Sequence, residues 1–380
     1  MMLSRVARIR AVFFLHAIAS GGLYPRLPAI AQRLGLDVAS LGLVLAGFTL
    51  GTMATFFFVS RIVESQGPKR ILVACLTVLP LATALLAAMP SGPALFGWFA
   101  IYGVIYSLPN AAMNIEADRV EAATGQRVMN SCHGLWSIGY LAATLIGTLA
   151  EGTHISPLMH LGLLAVPLVP IALWTTLGME PAPPRPHAAQ TVRRLALPTL
   201  PILLLVAYSI GPNLLEGGLR NWSVLYMRDS FSAPSWVDTL TLPVFLVSQA
   251  IGRLSADRWV TRFGVVATGR VLTLLALIGC AAVVLAPNLY VALAGFLVIG
   301  VGVCTTYPLT TSAAARIGDR PSSQNVASLT FANQLVQFAA PPTLGGLASL
   351  LGIRIVFGAA LPLLVASLGL ARALAPKRGP

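Results

Sequence analysis

The residues able to do chemistry in this 380-residue chain are few, and most stand inside apolar stretches. Glu216, in the segment GPNLLEGGLR, is the most informative. A charged side chain at the centre of a membrane-length run costs about 2.5–3.5 kcal/mol on insertion scales, so its presence needs a reason. Gly211, Pro212, Gly217 and Gly218 surround it and let a helix bend around a cavity. A carboxyl taken out of water resists ionisation, which makes Glu216 a candidate proton carrier or solute ligand. The competing assignment is a static pair with Arg220, four residues on. His16 and His133 lie in two further stretches; each is a candidate for coupling or binding, and each can equally be a packed, hydrogen-bonded group. Asn110 and Asn114 are four residues apart and share a helix face. Tyr307, Asn333 and Gln337 add a hydroxyl and two amides at similar depth, and Trp136 can stack on a flat ligand. Arg26 either meets an anionic group or snorkels to a surface, and Trp222 reads as an interfacial anchor. Glu116 and Asp118 read as solvated or gate-forming groups.

Other chemistry is missing. Cys75, Cys132, Cys280 and Cys304 occupy separate stretches at a spacing that fits no metal or redox motif. They read as small buried hydrophobes, with no disulfide, metal or cofactor expected. No phosphate-binding loop occurs and the only lysines are Lys69 and Lys377, so ATP-driven work by this chain alone is excluded. No metalloprotease motif or nucleophile elbow is present, and an enzyme is not expected.

Helices in a bilayer must position these groups. Hydrophobic residues make up 56% of the chain and charged residues 10%, at a mean hydropathy of +0.81; soluble proteins carry about 25% charge. A spanning helix takes roughly 20 apolar residues. Runs of that kind lie near 9–33, 39–63, 70–90, 93–119, 127–150, 155–178, 197–228, 235–261, 265–287, 289–315, 322–350 and 353–374. The first resembles a secretory signal, but it stays apolar past Ser20 and reads as a span. With an inside N terminus and alternating sides, twenty of the 25 basic residues fall at cytoplasmic ends, Arg253, Arg258 and Arg262 among them. Both termini are then cytoplasmic. The net charge of +13 becomes a topology signal, and no nucleic acid partner is expected.

The segment EPAPPRPHAAQTVRR, from Glu180 to Arg194, is Pro-rich and basic and reads as an extended linker. It separates a six-helix bundle over 1–179 from another over 196–380, with the linker at 180–195. The halves match at an offset of 197–198: SRIVESQG over DRWVTRFG, and TLIGTLA over PTLGGLA. Parallel six-helix repeats are a transporter architecture.

These features resemble the major facilitator superfamily. IGRLSADRWVTRFGVVATGR, Ile251 to Arg270, looks like its Gly-x-x-x-Asp-Arg loop. Asp257, beside Arg258 and Arg262, is a candidate gate lock; in the first half Ser60 replaces the Asp and Glu64 is the nearest acid. RLPAIAQRLGLDVASLGLVLAGFTLG, LPNAAMNIEADRVE, NSCHGLWSIGY and EGGLRNWSVLYMRD resemble the fucose-permease-like branch and its bacterial relatives. The resemblance implies an all-α membrane protein with twelve transmembrane helices in two six-helix bundles related by pseudo-two-fold symmetry. It implies a multi-pass protein of a bacterial inner membrane and, as expected partners, a small-molecule substrate, a coupling proton and the lipid bilayer; a monomer is expected. The branch motif at the fourth span is Glu-x-x-x-Asn, whose carboxylate is implicated in proton coupling. Asn114 matches and Asn110 replaces the acid, so coupling falls to Glu216 or a histidine, or transport is not proton-driven. The expectation is a secondary transporter of a small polar, sugar-like solute working by alternating access. Efflux or uptake of drugs or siderophores is the alternative, and a non-transporting receptor a remote one.

Overall fold

Helix starts fall where the sequence supplies caps. In the computed structural model, which describes residues 4–183 and 197–375, Ser4 accepts from Ala7 N, Asp37 from Ser40 N, Ser91 from Ala94 N and Ser156 from Met159 N. Twelve long helical stretches result among the described residues. They are α1 (Arg5–Arg33, with a turn of 3-10 helix at Tyr24–Arg26), α2 (Val38–Gln66), α3 (Pro68–Leu86), α4 (Gly92–Thr124), α5 (Met129–Gly152) and α6 (Pro157–Leu177). In the second half come α7 (Leu200–Ser230), α8 (Thr241–Phe263), α9 (Val265–Val284), α10 (Leu289–Ala315), α11 (Ser322–Leu351) and α12 (Ile355–Leu374). No strand occurs among the described residues. Every expected span has its helix. Among the described residues, nine helices are long and apolar enough to cross a membrane; α5, α8 and α11, at 24, 23 and 30 residues, have the length but more polar side chains.

The chain forms two compact units, Met1–Gln190 and Thr191–Pro380. In the first, α2 lies so close to α4 that a Cβ on Gly51 would collide with the Ala100 carbonyl oxygen. In the second, a Cβ on Gly302 of α10 would collide with the backbone nitrogen of Ala276 in α9. Small residues at such crossings let backbones approach where no hydrophobic drive separates helix from lipid.

The repeat is visible in the backbone. Gly67 and Gly264, at the ends of α2 and α8, both have positive φ, 76° and 80°. Gly352, after α11, has φ 85°, and at the equivalent place after α5 His154 takes φ 57°, the one such non-glycine residue among those described.

Two expectations change here. Trp222 is fully buried in the second unit rather than at an interface. Tyr226 one turn on donates to the Val283 carbonyl at 2.6 Å and packs edge-on against Phe296 and Phe357. The segment expected as a linker from Glu180 begins against the first unit: Glu180 pairs with Arg5 at 3.0 Å, and Ala182 is buried. Residues 184–195 of that segment lie outside the described residues.

Candidate functional site

In the second unit, Ser209, Asn213, Glu216 and Arg220 follow one another at spacings of four, three and four along α7 and share a face. Glu216 is the seventeenth of 31 residues, at the helix centre. Its Oε1 accepts from Arg220 Nη2 at 2.7 Å and from Gln249 Nε2 of α8 at 3.2 Å. The ionised pair keeps 21% and 25% of its side chains exposed, so it stands at a wall rather than in the core. The pair with Arg220 that the sequence offered as the competing assignment is thus formed. Toward the helix start, Ser209 Oγ donates to Asn333 Oδ1 of α11 at 3.0 Å, and Asn213 Nδ2 reaches the same oxygen at 3.5 Å. Gln337 Oε1 lies 3.1 Å from where a Cβ on Gly217 would stand, which accounts for a glycine beside the glutamate.

α10 breaks at the same depth. Helix stops at Val303 and resumes at Thr306. Pro308 has no N–H, so the Cys304 carbonyl four residues earlier loses its helical donor. Arg253 replaces that donor, its Nε reaching the Cys304 oxygen at 3.0 Å. Arg253 is the thirteenth of 23 residues of α8 and is exposed. The helix continues ten residues beyond it, to Phe263. Tyr307, 58% exposed, stands beside the break.

The first unit carries a different set. Trp136 Nε1 of α5 donates to His16 Nδ1 at 3.2 Å, and His16 Nε2 lies 3.1 Å from the Tyr106 carbonyl of α4. Indole can only donate and a carbonyl can only accept. The imidazole is therefore neutral, with its proton on Nε2. Trp136 stacks on Tyr140 at 5.1 Å and 19°, and Tyr140 meets Tyr24 at 6.0 Å. Tyr106 lies 4.5 Å from the His16 ring. Asn110 and Asn114 continue the Tyr106 face, and Asn114 Nδ2 donates back to the Asn110 carbonyl at 2.7 Å. His133 is exposed, edge-on to Phe13 at 5.2 Å.

Arg26 does not snorkel. It is buried, salt-bridged to Glu151 and bonded to the Ile155 carbonyl, tying α1 to the end of α5. Glu116 is not solvated: it is fully buried, and its Oε1 accepts from Ala182 N at 2.7 Å. Of the expected gate, Arg258 and Arg262 are exposed near the end of α8, Arg262 resting over the Phe263 ring at 5.3 Å. The side chains of Asp257 and Glu64 lie outside the described set.

Sequence reasoning missed Arg253, Gln249 and Tyr106. The signal for Arg253 was present in Pro308, which orphans a carbonyl at mid-helix. Gln249 had none, because its partner is 33 residues away.

The model of the Major Facilitator Superfamily matches residues 11–341. The chain is 28% identical over 351 residues to the uncharacterized transporter y4wD of Sinorhizobium fredii, covering 92% of each. Among solved structures, a mutant of the nucleoside transporter NupG superposes with a TM-score of 0.79 at 15% identity, covering 98% of this chain and 99% of that one. A D-xylose–proton symporter gives 0.73 at 14% identity, covering 99% and 98%.

Proposed function

The chain belongs to the Major Facilitator Superfamily and is a multi-pass membrane transporter of a small molecule, and from that premise we propose secondary active, proton-coupled transport of a small polar organic solute, sugar-like in its hydroxyl content, by alternating access. The observation that carries this reading is Glu216, a carboxylate at the centre of α7 whose Oε1 accepts from both Arg220 and Gln249. A proton can replace Arg220 as the partner of the carboxylate, and the freed guanidinium then changes what the site holds. The amides of Asn333, Asn213 and Gln337 suit hydroxyl groups. The D-xylose–proton symporter among the structural neighbours supports the same class. His16, held neutral between a donor and an acceptor, supports a positioning role for Trp136 rather than proton carriage. We propose that both termini are cytoplasmic, on the distribution of the arginines, and, on the family resemblance, that the protein acts as a monomer in a bacterial inner membrane.

Proteoliposomes with an imposed pH gradient test the coupling. Accumulation should follow the gradient in the wild type and fall to equilibration in Glu216→Gln, which still exchanges solute. Unchanged accumulation in Glu216→Gln would overturn the assignment.

A further inference from the structure

Among the described side chains around the centres of α7, α8 and α10 the charges do not cancel. Arg220 donates to one carboxylate, Glu216, and Arg253 stands one turn along the same face of α8 from Gln249, which bonds that carboxylate too. The positions of Glu216, Arg253 and Cys304 are the seventeenth of 31 residues in α7, the thirteenth of 23 in α8 and the sixteenth of 27 in α10, so the cluster sits away from the termini of the three helical stretches and beside the break in α10. A surplus arginine at that depth needs a counter-ion or an aqueous path.

Arg253 is built to receive one. Its Nε is fixed by the Cys304 carbonyl that Pro308 leaves without a helical donor. Its two Nη groups take no partner among the described residues, and the side chain is exposed. A guanidinium anchored at Nε presents its remaining edge as a fixed fork, and that fork matches the two oxygens of a carboxylate. Toward the start of the same face of α7, Oδ1 of Asn333 in α11 accepts from Ser209 and Asn213, which leaves its amide N–H groups for a hydroxyl.

We infer that the transported solute is a hydroxylated organic acid with one carboxylate, received by Arg253 beside the Glu216–Arg220 pair. The inference rests on the transport reading and narrows it from polar solutes in general to monoanionic ones. The binding step forms no covalent bond: the carboxylate exchanges water for the Arg253 Nη groups, and the cluster becomes electrically neutral.

The test is thermal unfolding of the full-length protein in detergent with matched pairs at equal millimolar concentration: gluconate and glucitol, glucuronate and glucose, galacturonate and galactose. Inorganic phosphate is a separate arm. At least one carboxylate should raise the unfolding midpoint while its neutral partner does not. Arg253→Gln, compared with its own unliganded midpoint because it also loses the bond to the Cys304 carbonyl, should weaken that carboxylate's half-saturating concentration by about tenfold, and Arg253→Lys should retain part of the effect. A neutral partner that stabilises equally overturns the inference and leaves the transport reading intact. So do stabilisation by phosphate alone, carboxylate stabilisation that survives Arg253→Gln, and a panel in which no carboxylate acts. The transport reading answers separately to solute movement in proteoliposomes.

Discussion

In the first unit the side chains at the helix centres are neutral and interlocked: Trp136 donates to His16, His16 to the Tyr106 carbonyl, and Tyr140 stacks beneath the indole. In the second they are charged and partly open: Glu216, Arg220 and Arg253, with the first two 21% and 25% exposed. The first unit does hold an ion pair, but Arg26 and Glu151 are only 2% and 12% exposed and join α1 to the end of α5. The two units nonetheless share helix order, the glycine turns at Gly67 and Gly264, and the turns at His154 and Gly352. Duplication preserved what a bilayer demands of a backbone, which is internal hydrogen bonding and turns that fit. It left side chains at the helix centres free to diverge, because their partners are local to each bundle.

The contrast predicts that the same residue type has opposite consequences in the two units. Arg26→Met leaves Glu151 as an uncompensated buried charge and should cost about 3–5 kcal/mol in chemical unfolding in mixed micelles. Pairing it with Glu151→Leu should restore most of that loss. Arg253→Gln, measured identically, should cost far less, and a comparable loss would erase the distinction between a structural and a functional arginine. The repeat itself is tested at His154: His154→Gly should stabilise by about 1–2 kcal/mol by removing a left-handed non-glycine residue, and no gain would mean that the histidine side chain offsets its backbone.

The neutral interlock is tested by a double-mutant cycle on His16→Phe and Trp136→Phe, with an expected coupling of about 0.5–1.5 kcal/mol; additivity would break the claim that His16 positions the indole. The smallest effect is expected outside the spans. The side-chain and backbone N–H bonds of Ser40 hold the Asp37 carboxyl below the usual carboxylate range. Because the folded value is the lower one, the cap stabilises α2 at neutral pH and is lost as pH falls through that value. Asp37→Asn should flatten the acid limb of a stability–pH curve without moving its neutral plateau.

The sites were unequally legible. Glu216 stood out because a lone carboxylate in an apolar run has no cheap explanation, and its Arg220 partner was within one turn. The aromatic set was only half legible: Trp136 and His16 are 120 residues apart, and nothing in either run indicates that the two rings meet. For Glu116 and Arg26 the structure removes one of the two alternatives, solvation for the first and snorkelling for the second, and for a common reason. Nearness to a helix end suggests water, but each is covered by a distant segment, Ala182 for the former and Glu151 for the latter.

The twelve spans, the internal repeat and the family were legible from residue order alone, because each is written in hydropathy, turn residues and local motifs that need no partner to be read. The packing of the helices sets which arginine is buried in an ion pair, Arg26, and which is left exposed, Arg253. That choice depends on the rotation of each helix about its axis and on carbonyls and carboxylates contributed by other helices, so the depth and polarity of a residue along the chain cannot express it.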